Sequence, residues 1–467
     1  MVEAAGQPNE AGSPTIVSSP DGRSFRLRTS AEEGLRPGDY VRIADGTGVE
    51  HLGYVESVDE VTETTTWAAG SILPGPVTPA PFRSGSARRS DPAAVRDFFD
   101  ASGASLPVGT LVSDPSVPVG LIPKRINRHT FWCGQSGSGK TYALGVALEQ
   151  ILLGTRLPMV IFDPNSDFVR LGETLPHVQP DTAGRLAERP VRVLRRGGGP
   201  DALRARLRSM DLASRGALMR LDPVIHREEF NAMVHHRFDP AAYAGHGDLD
   251  TSAFARSFET SADPGARALG RRLENLGLLE WEIWALDRPA ATDVIAERPA
   301  ATVLDLGSLE RHEEQLTVAL SVLNDLWDRR EERRPVLLVI DEAHNLCSPD
   351  LESLLGIAVR NRIIQIAAEG RKYGLWLLLS TQRPSKVHPG IVSQCDNLTL
   401  MRMNSPNDLA ELGDLFGFVP RQLLGQASRF RQGEALLAGG FVPAPTITTI
   451  AGRLTVEGGV DVKVPMP

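Results

Sequence analysis

Two patterns of apolar and polar positions divide the chain. Between Thr15 and about residue 118 apolar residues alternate with polar ones in short stretches, Thr15 to Val17, Ser24 to Leu27, Tyr40 to Ile43 and His51 to Val58, punctuated by Gly and Asp. Alternation with a period of two predicts strands that bury one face. The pieces GRSFRLR, PGDYVRIADGTG and LGYVESVDEVTETTTW therefore predict hairpin-connected strands of a small antiparallel barrel over residues 14–118, with Asp45-Gly46 as a turn. Residues 1–13 are small and polar and are expected to be disordered, and Pro74 to Ala94, rich in Pro, Ser and Arg, is expected to be a linker. Its Arg83, Arg88 and Arg89 read first as a solvated basic loop and second as contacts to a phosphate backbone.

From about residue 119 solidly apolar runs alternate with longer segments of helical period. Short runs that are apolar throughout mark strands covered on both faces, so an α/β core with a mostly parallel sheet and helices on both faces is expected over residues 119–446. Its strands are Thr130 to Cys133, Met159 to Phe162, Val191 to Leu194, Val303 to Leu306, Val336 to Ile340, Leu375 to Ser380 and Leu398 to Met403. Residues 201–299 carry repeated Leu, Ala and Met at helical spacing without any phosphate or metal signature, which predicts a helical insertion. Residues 447–467 remain as a C-terminal extension.

Composition narrows the classes. A chain of 467 residues, 41% apolar and 23% charged, is an ordinary folded protein of two or three domains, and not a disordered, collagenous or coiled-coil one. The longest apolar runs fall far short of the roughly 20 residues that cross a bilayer, and the acidic, proline-containing start MVEAAGQPNEAGSP lacks the features of a signal peptide. A cytoplasmic protein with no membrane partner is expected. The three cysteines, Cys133, Cys347 and Cys395, are scattered and fit a reducing compartment. A formal charge of -8 does not exclude nucleic acid, because a local basic lining can sit within an acidic body.

The strongest chemical signal is Gly134-Gln135-Ser136-Gly137-Ser138-Gly139-Lys140-Thr141, a full GxxxxGK[ST] phosphate loop between an apolar strand and an apolar helix. Glycines let successive amides converge on phosphate oxygens, and the helix N-terminus adds its positive end. Lys140 then neutralises the β and γ phosphates, Thr141 offers its hydroxyl to Mg2+, and Tyr142 begins the helix beside them. The second half of such a site is a buried strand ending in acid, supplied by Val336 to Ile340 followed by Asp341 and Glu342, metal holder and water-polarising base respectively. His344 in the Asp-Glu-Ala-His tetrad is expected to be structural.

Further candidates flank these motifs. Gln382, after the strand Leu375 to Ser380, reads as a γ-phosphate sensor or as a strand-capping amide. Arg371 in Glu369-Gly370-Arg371-Lys372 reads as a helix cap or as a finger reaching a neighbour's nucleotide, with Arg362 as its competitor. Arg128, before the first strand, reads as a third cation for the phosphates, and the segment Asp163-Pro164-Asn165-Ser166-Asp167, with Asp163 as its candidate contact, either lines the site or makes a turn.

Together, NRHTFWCGQSGSGKT, IFDPNSDF, LLVIDEAHN, EGRKYGLWLLLSTQRPSKVHPGIVSQCDNLTLMRM and GEALLAGG resemble the HerA branch of the HerA/FtsK ATPases, and GDYVRI and LGYVESV resemble the HAS barrel that precedes the motor there. The resemblance implies a RecA-like P-loop NTPase core, ATP and Mg2+ as cofactors, and a homo-hexamer that translocates double-stranded DNA. It also implies an effector partner, a nuclease of the NurA type or another defence effector. Lys140 and Thr141 are then the nucleotide and metal contacts, Asp341 and Glu342 the metal ligand and catalytic acid, Gln382 the sensor and Arg371 the finger in trans. The alternative is an ATP-binding hexameric platform that scaffolds an effector without moving along DNA. The insertion 201–299 and the linker 74–94 match nothing specific in the family, so the partner is not legible.

Overall fold

The computed structural model describes residues 15–60, 64–77, 79–235, 257–286 and 288–459. The expected disordered start lies outside them. The chain forms two compact units, one of residues 1–123 with 398–451, the other of residues 124–397 with 452–467.

In the first unit, β1 (Ile16–Ser19), β2 (Ser24–Ser30), β3 (Tyr40–Ala44), β4 (Glu50–Glu60), β5 (Thr65–Ile72) and β6 (Phe82–Arg89) close into a barrel in the order β1-β2-β5-β4-β3-β6. The period-two pattern has the expected effect: Val17, Phe25, Leu27, Val41, Ile43, Val55, Ala68 and Ile72 all point into one buried core. Gly70 is needed because a Cβ there would lie 1.9 Å from the Tyr54 carbonyl oxygen. Strand β6 corrects the expected linker. FRSGSARR has no apolar alternation, yet it closes the barrel by pairing with β1 and β3, and it is held by charge: Arg88 pairs with Glu50 at 2.8 Å and Arg89 with Asp39 at 3.0 Å. Arg88 and Arg89 therefore serve the barrel first.

The same unit holds an antiparallel sheet in the order β16-β17-β7-β8, made of β7 (Leu106–Leu111), β8 (Pro118–Leu121), β16 (Glu434–Gly439) and β17 (Thr446–Ile450). The expected boundaries 119–446 and 447–467 are corrected accordingly. Residues 398–451 belong with the N-terminal unit, because β17 pairs with β7 over Thr448–Ile450, and strand partners are not written in local periodicity.

The second unit carries β9 (His129–Cys133), β10 (Met159–Asp163), β11 (Val191–Leu194), β12 (Ala301–Asp305), β13 (Val336–Ile340) and β14 (Leu375–Thr381), all parallel, in the order β11-β12-β10-β13-β14-β9. β15 (Cys395–Met401) is the stretch of chain at which the two units divide. Every residue of β9, β10, β12 and β13 is buried, which is why their sequences are mostly apolar, with His129, Thr130, Asp163, Thr302 and Asp305 as the polar exceptions. The Lys140–Gly154 helix packs on β9 and the Leu354–Glu369 helix on β14. Fully buried His129 pins this corner, its Nδ1 accepting from the Leu377 amide at 2.9 Å and its Nε2 lying 3.0 Å from the Ala367 carbonyl, and burial pushes it down to about 4.

Between β11 and β12 the described residues form the helices Leu212–Leu218, Arg227–His235, Pro264–Asn275 and Ala291–Ala296, as the periodicity predicts for 201–299. Asp211 and Asp263 cap two of them by accepting from the Ser214 and Gly265 amides.

Candidate active site

Strand order brings the motifs together. Because β14 lies between β9 and β13, three carboxyl ends converge: β9 runs into the glycine-rich loop, β13 into Asp341 and Glu342, and β14 into Ser380, Thr381 and Gln382. The Gly134 amide donates to the Thr381 carbonyl at 3.3 Å, which ties the loop to β14.

Within the loop Gly137 and Gly139 have φ of 72° and 90°, a left-handed backbone that favours glycine. Gly139 precedes the helix, and no side chain caps its first-turn amides. Those donors and the positive helix end suit an anion. Ser138 is fully buried and its Oγ has no hydrogen-bond partner. Ser136 and Gly137 are exposed at the mouth, Gln135 and Thr141 half-buried, and Tyr142 exposed, its hydroxyl accepting from the Arg453 amide at 2.8 Å.

Lys140 is buried among the acids. Its Nζ lies 3.0 Å from Asp341 Oδ1, 3.1 Å from Glu342 Oε1 and 2.9 Å from Ser380 Oγ. Burial alone would lower the ammonium, but the Asp341 and Glu342 carboxylates outweigh it and hold Lys140 above its ordinary value. The lysine is thus kept charged, with two carboxylates as its partners.

Glu342 is 5% exposed and adopts φ of 44°, a left-handed conformation that costs a non-glycine residue roughly 1–3 kcal/mol. Its carboxylate accepts from Gln382 Nε2 at 2.8 Å and lies 3.3 Å from His344 Nδ1, which is itself 3.2 Å from Thr381 Oγ1. Burial lowers His344, so it is a neutral hydrogen-bonding neighbour rather than a second cation.

A third carboxylate joins Asp341. Ligand atoms of Asp163, Asp167 and Asp341 lie within 4.8 Å of one another. Asp163 is taken up by its own turn, accepting from the Asn165, Asp167 and Phe168 amides at 3.3, 3.0 and 2.8 Å. It presents Asp167 to the site. Burial, reinforced by Asp341, raises Asp163 to about 7 and Asp167 to about 6. Buried Asp341 Oδ2 has no hydrogen-bond partner. An orphaned carboxylate oxygen on Asp341, with half-buried Asp167 close by, is a donor set that fits a hard, oxygen-seeking cation such as Mg2+.

The cations expected at the phosphates are elsewhere. Arg128 precedes β9 whereas the loop follows it, and five residues at about 3.3 Å each separate the two ends. Arg128 therefore does not join the site; it lies 3.6 Å from Asp396. Arg371 pairs with the same Asp396 at 3.1 Å, before β14, and is likewise remote from its own chain's loop. Arg362 is committed to the insertion: it bonds Asp211 at 2.6 Å, Asn324 at 2.7 Å and Gln365 at 2.7 Å. Both arginines are thus paired within their own chain, Arg362 through the larger network.

Sequence reasoning missed Ser380, and it left open whether the segment that holds Asp167 lines the site or makes a turn. Ser380 is the residue at which β14 turns polar, and Asp167 stands four positions after the acid that ends β10. The spacing DPNSD was the available signal for the second; nothing local marked the first.

Fold and site define a RecA-like P-loop NTPase core. Residues 106–217 match the family described as "Helicase HerA, central domain". The chain is 30% identical over 141 residues to a probable helicase of Methanocaldococcus jannaschii, covering 30% of this chain and 26% of that protein. It is 30% identical over 156 residues to the DNA double-strand break repair helicase HerA of Sulfurisphaera tokodaii, covering 32% and 31%. The match spans less than a third of either relative. Among solved structures, VirB4 of Thermoanaerobacter pseudethanolicus shares the fold, with a TM-score of 0.52 at 15% identity, over 75% of this chain and 97% of that one. Residues 106–217 thus resemble a HerA central domain, and in the sequence they follow a six-stranded barrel.

Proposed function

We propose that the chain is an ATP-hydrolysing, double-stranded DNA translocase of the HerA type that works as a homo-hexamer. The observation that carries this reading is the convergence of Lys140, Asp341, Glu342, Ser380 and Gln382 at the carboxyl ends of β9, β13 and β14. The loop amides and Lys140 bind the triphosphate. Asp341 and Thr141 would hold Mg2+, with Asp167 beside them, and the metal supplies charge neutralisation when bound. Glu342, oriented by Gln382, accepts the proton of the attacking water. The Gln382 amide, bonded to this base, is placed to report whether the γ position is filled.

No cation beyond Lys140 stands by the loop among the residues expected there, so charge compensation falls to Arg371 of a neighbouring subunit. Association into a ring follows from that need. The named role of the HerA relatives in double-strand break repair favours DNA as substrate, and a nuclease or other effector as partner goes with it. Among the described residues no helix is long and apolar enough to cross a membrane. ATP hydrolysis measured in Lys140→Ala and Glu342→Gln tests the reading: both lose it, and activity in either contradicts the site.

A further inference from the structure

Glu149 and Arg453 form an ion pair with side chains 0% and 1% exposed, the carboxylate 3.3 Å from Arg453 Nε. Glu149 also accepts from the Leu454 and Thr455 amides, both at 2.9 Å, and from Thr455 Oγ1 at 2.5 Å. Tyr142, Gly145 and Glu149 lie three and four residues apart on one face of the phosphate-loop helix. All three meet the same segment. Tyr142 accepts from the Arg453 amide, and a Cβ on Gly145 would strike the Arg453 guanidinium carbon at 2.5 Å.

The segment then crosses to the acids. Leu454 accepts from the Leu175 amide and the Val456 amide donates to Glu173, each at 2.8 Å. The Gly458 amide donates to the Asp167 carbonyl at 3.0 Å. A Cβ on Gly458 would lie 2.2 Å from the Ser166 carbonyl oxygen, and one on Gly459 2.3 Å from Asp167 Oδ1. At Gly458 glycine is required by the close approach of backbone and not by φ.

We propose that Arg453–Gly459 is a positioning strap: Arg453 fixes the helix that carries Lys140, Gly458 and Gly459 fix the turn that carries Asp167, and one stretch of chain sets their separation. A buried ion pair is a poor device for stability alone, since packed apolar side chains do as well. What it adds here is register, because each Glu149 oxygen is assigned to named donors. The proposal rests on the ATPase reading and goes beyond it to residues that touch neither nucleotide nor metal.

The test is Gly458→Ala in the full chain, with Gly452→Ala, whose added Cβ meets nothing within 4 Å, as control. Two readouts are taken: kcat and KM for ATP, and hydrogen exchange at the Asn165, Asp167 and Phe168 amides of the nucleotide-free protein. Gly458→Ala is expected to lower kcat about tenfold or more with KM within about twofold, and to speed exchange at those amides, while Gly452→Ala matches wild type. Faster exchange with wild-type kcat, or unchanged exchange, overturns the strap. Wild type that hydrolyses no ATP overturns the ATPase reading instead, and the exchange comparison then decides the strap by itself. If Gly458→Ala does not fold, Glu149→Gln, which keeps the shape and removes the charge opposite Arg453, is judged by the same outcomes.

Discussion

The Gln382 amide donates to the Glu342 carboxylate at 2.8 Å while Glu342 is held at φ of 44°. Strain and orientation thus fall on the same residue, the one proposed above as the base. β13, which leads into Asp341 and Glu342, is fully buried strand. Glu342→Gln should therefore lower ATP turnover by about 10²–10⁴-fold while leaving nucleotide binding intact, read by steady-state hydrolysis beside a fluorescent-nucleotide titration. Turnover near wild type would remove Glu342 from the chemistry.

Lys140 compensates two buried acids in the nucleotide-free protein. Lys140→Ala should abolish ATP binding. It should also destabilise the free protein by about 3–5 kcal/mol, the usual cost of breaking a buried pair from one side. Denaturant melts without nucleotide check this, and an unchanged midpoint would contradict the buried pairing.

Arg371 and Arg362 should separate cleanly. Arg371→Ala is expected to retain ATP binding and lose turnover by about 10³-fold, as for a cation supplied in trans, and mixing it with Lys140→Ala subunits should restore part of the activity. Arg362→Ala should instead destabilise the fold, by about 2–3 kcal/mol, because it frees Asp211 and Asn324 inside a partly buried network. Turnover per folded molecule stays near wild type. The reverse pattern would exchange their roles.

Asp167 predicts a pH dependence. Its folded value of about 6 lies above the ordinary 3.8, so between about pH 4 and 6 the folded protein keeps a proton that the unfolded chain has released. Raising the pH through that window removes the proton and costs stability, with no further change from this group above it. Asp167→Asn should accordingly flatten the fall in stability between pH 4.5 and 7.5, measured by urea midpoints against wild type. Equal slopes would mean that Asp167 is solvated and outside the acid cluster.

Much of this was legible because the signals are local. The phosphate loop needs Gly137 and Gly139 at fixed offsets, and a parallel strand buried on both faces must be apolar, so β9, β10, β13 and β14 stood out. The barrel strands β1 to β4 announced themselves by alternation. What was hidden depends on pairing at a distance. FRSGSARR is a strand because β1 and β3 need a closing partner and because Glu50 and Asp39 lie opposite its arginines. Residues 446–450 join the N-terminal unit because they pair with β7 on the side away from β8. Arg128 looked close to the loop in sequence, but a whole strand stands between them. Arg453 and Glu149, more than 300 positions apart, gave no signal at all.

The central claim is a motor whose ATP hydrolysis answers to DNA. The most direct measurement is ATP hydrolysis by the purified chain with and without linear double-stranded DNA, with particle mass followed by light scattering. The account predicts a hexamer-sized particle whose turnover rises when DNA is added and vanishes in Glu342→Gln. A monomeric particle, or a ring whose hydrolysis is the same with and without DNA, would contradict it.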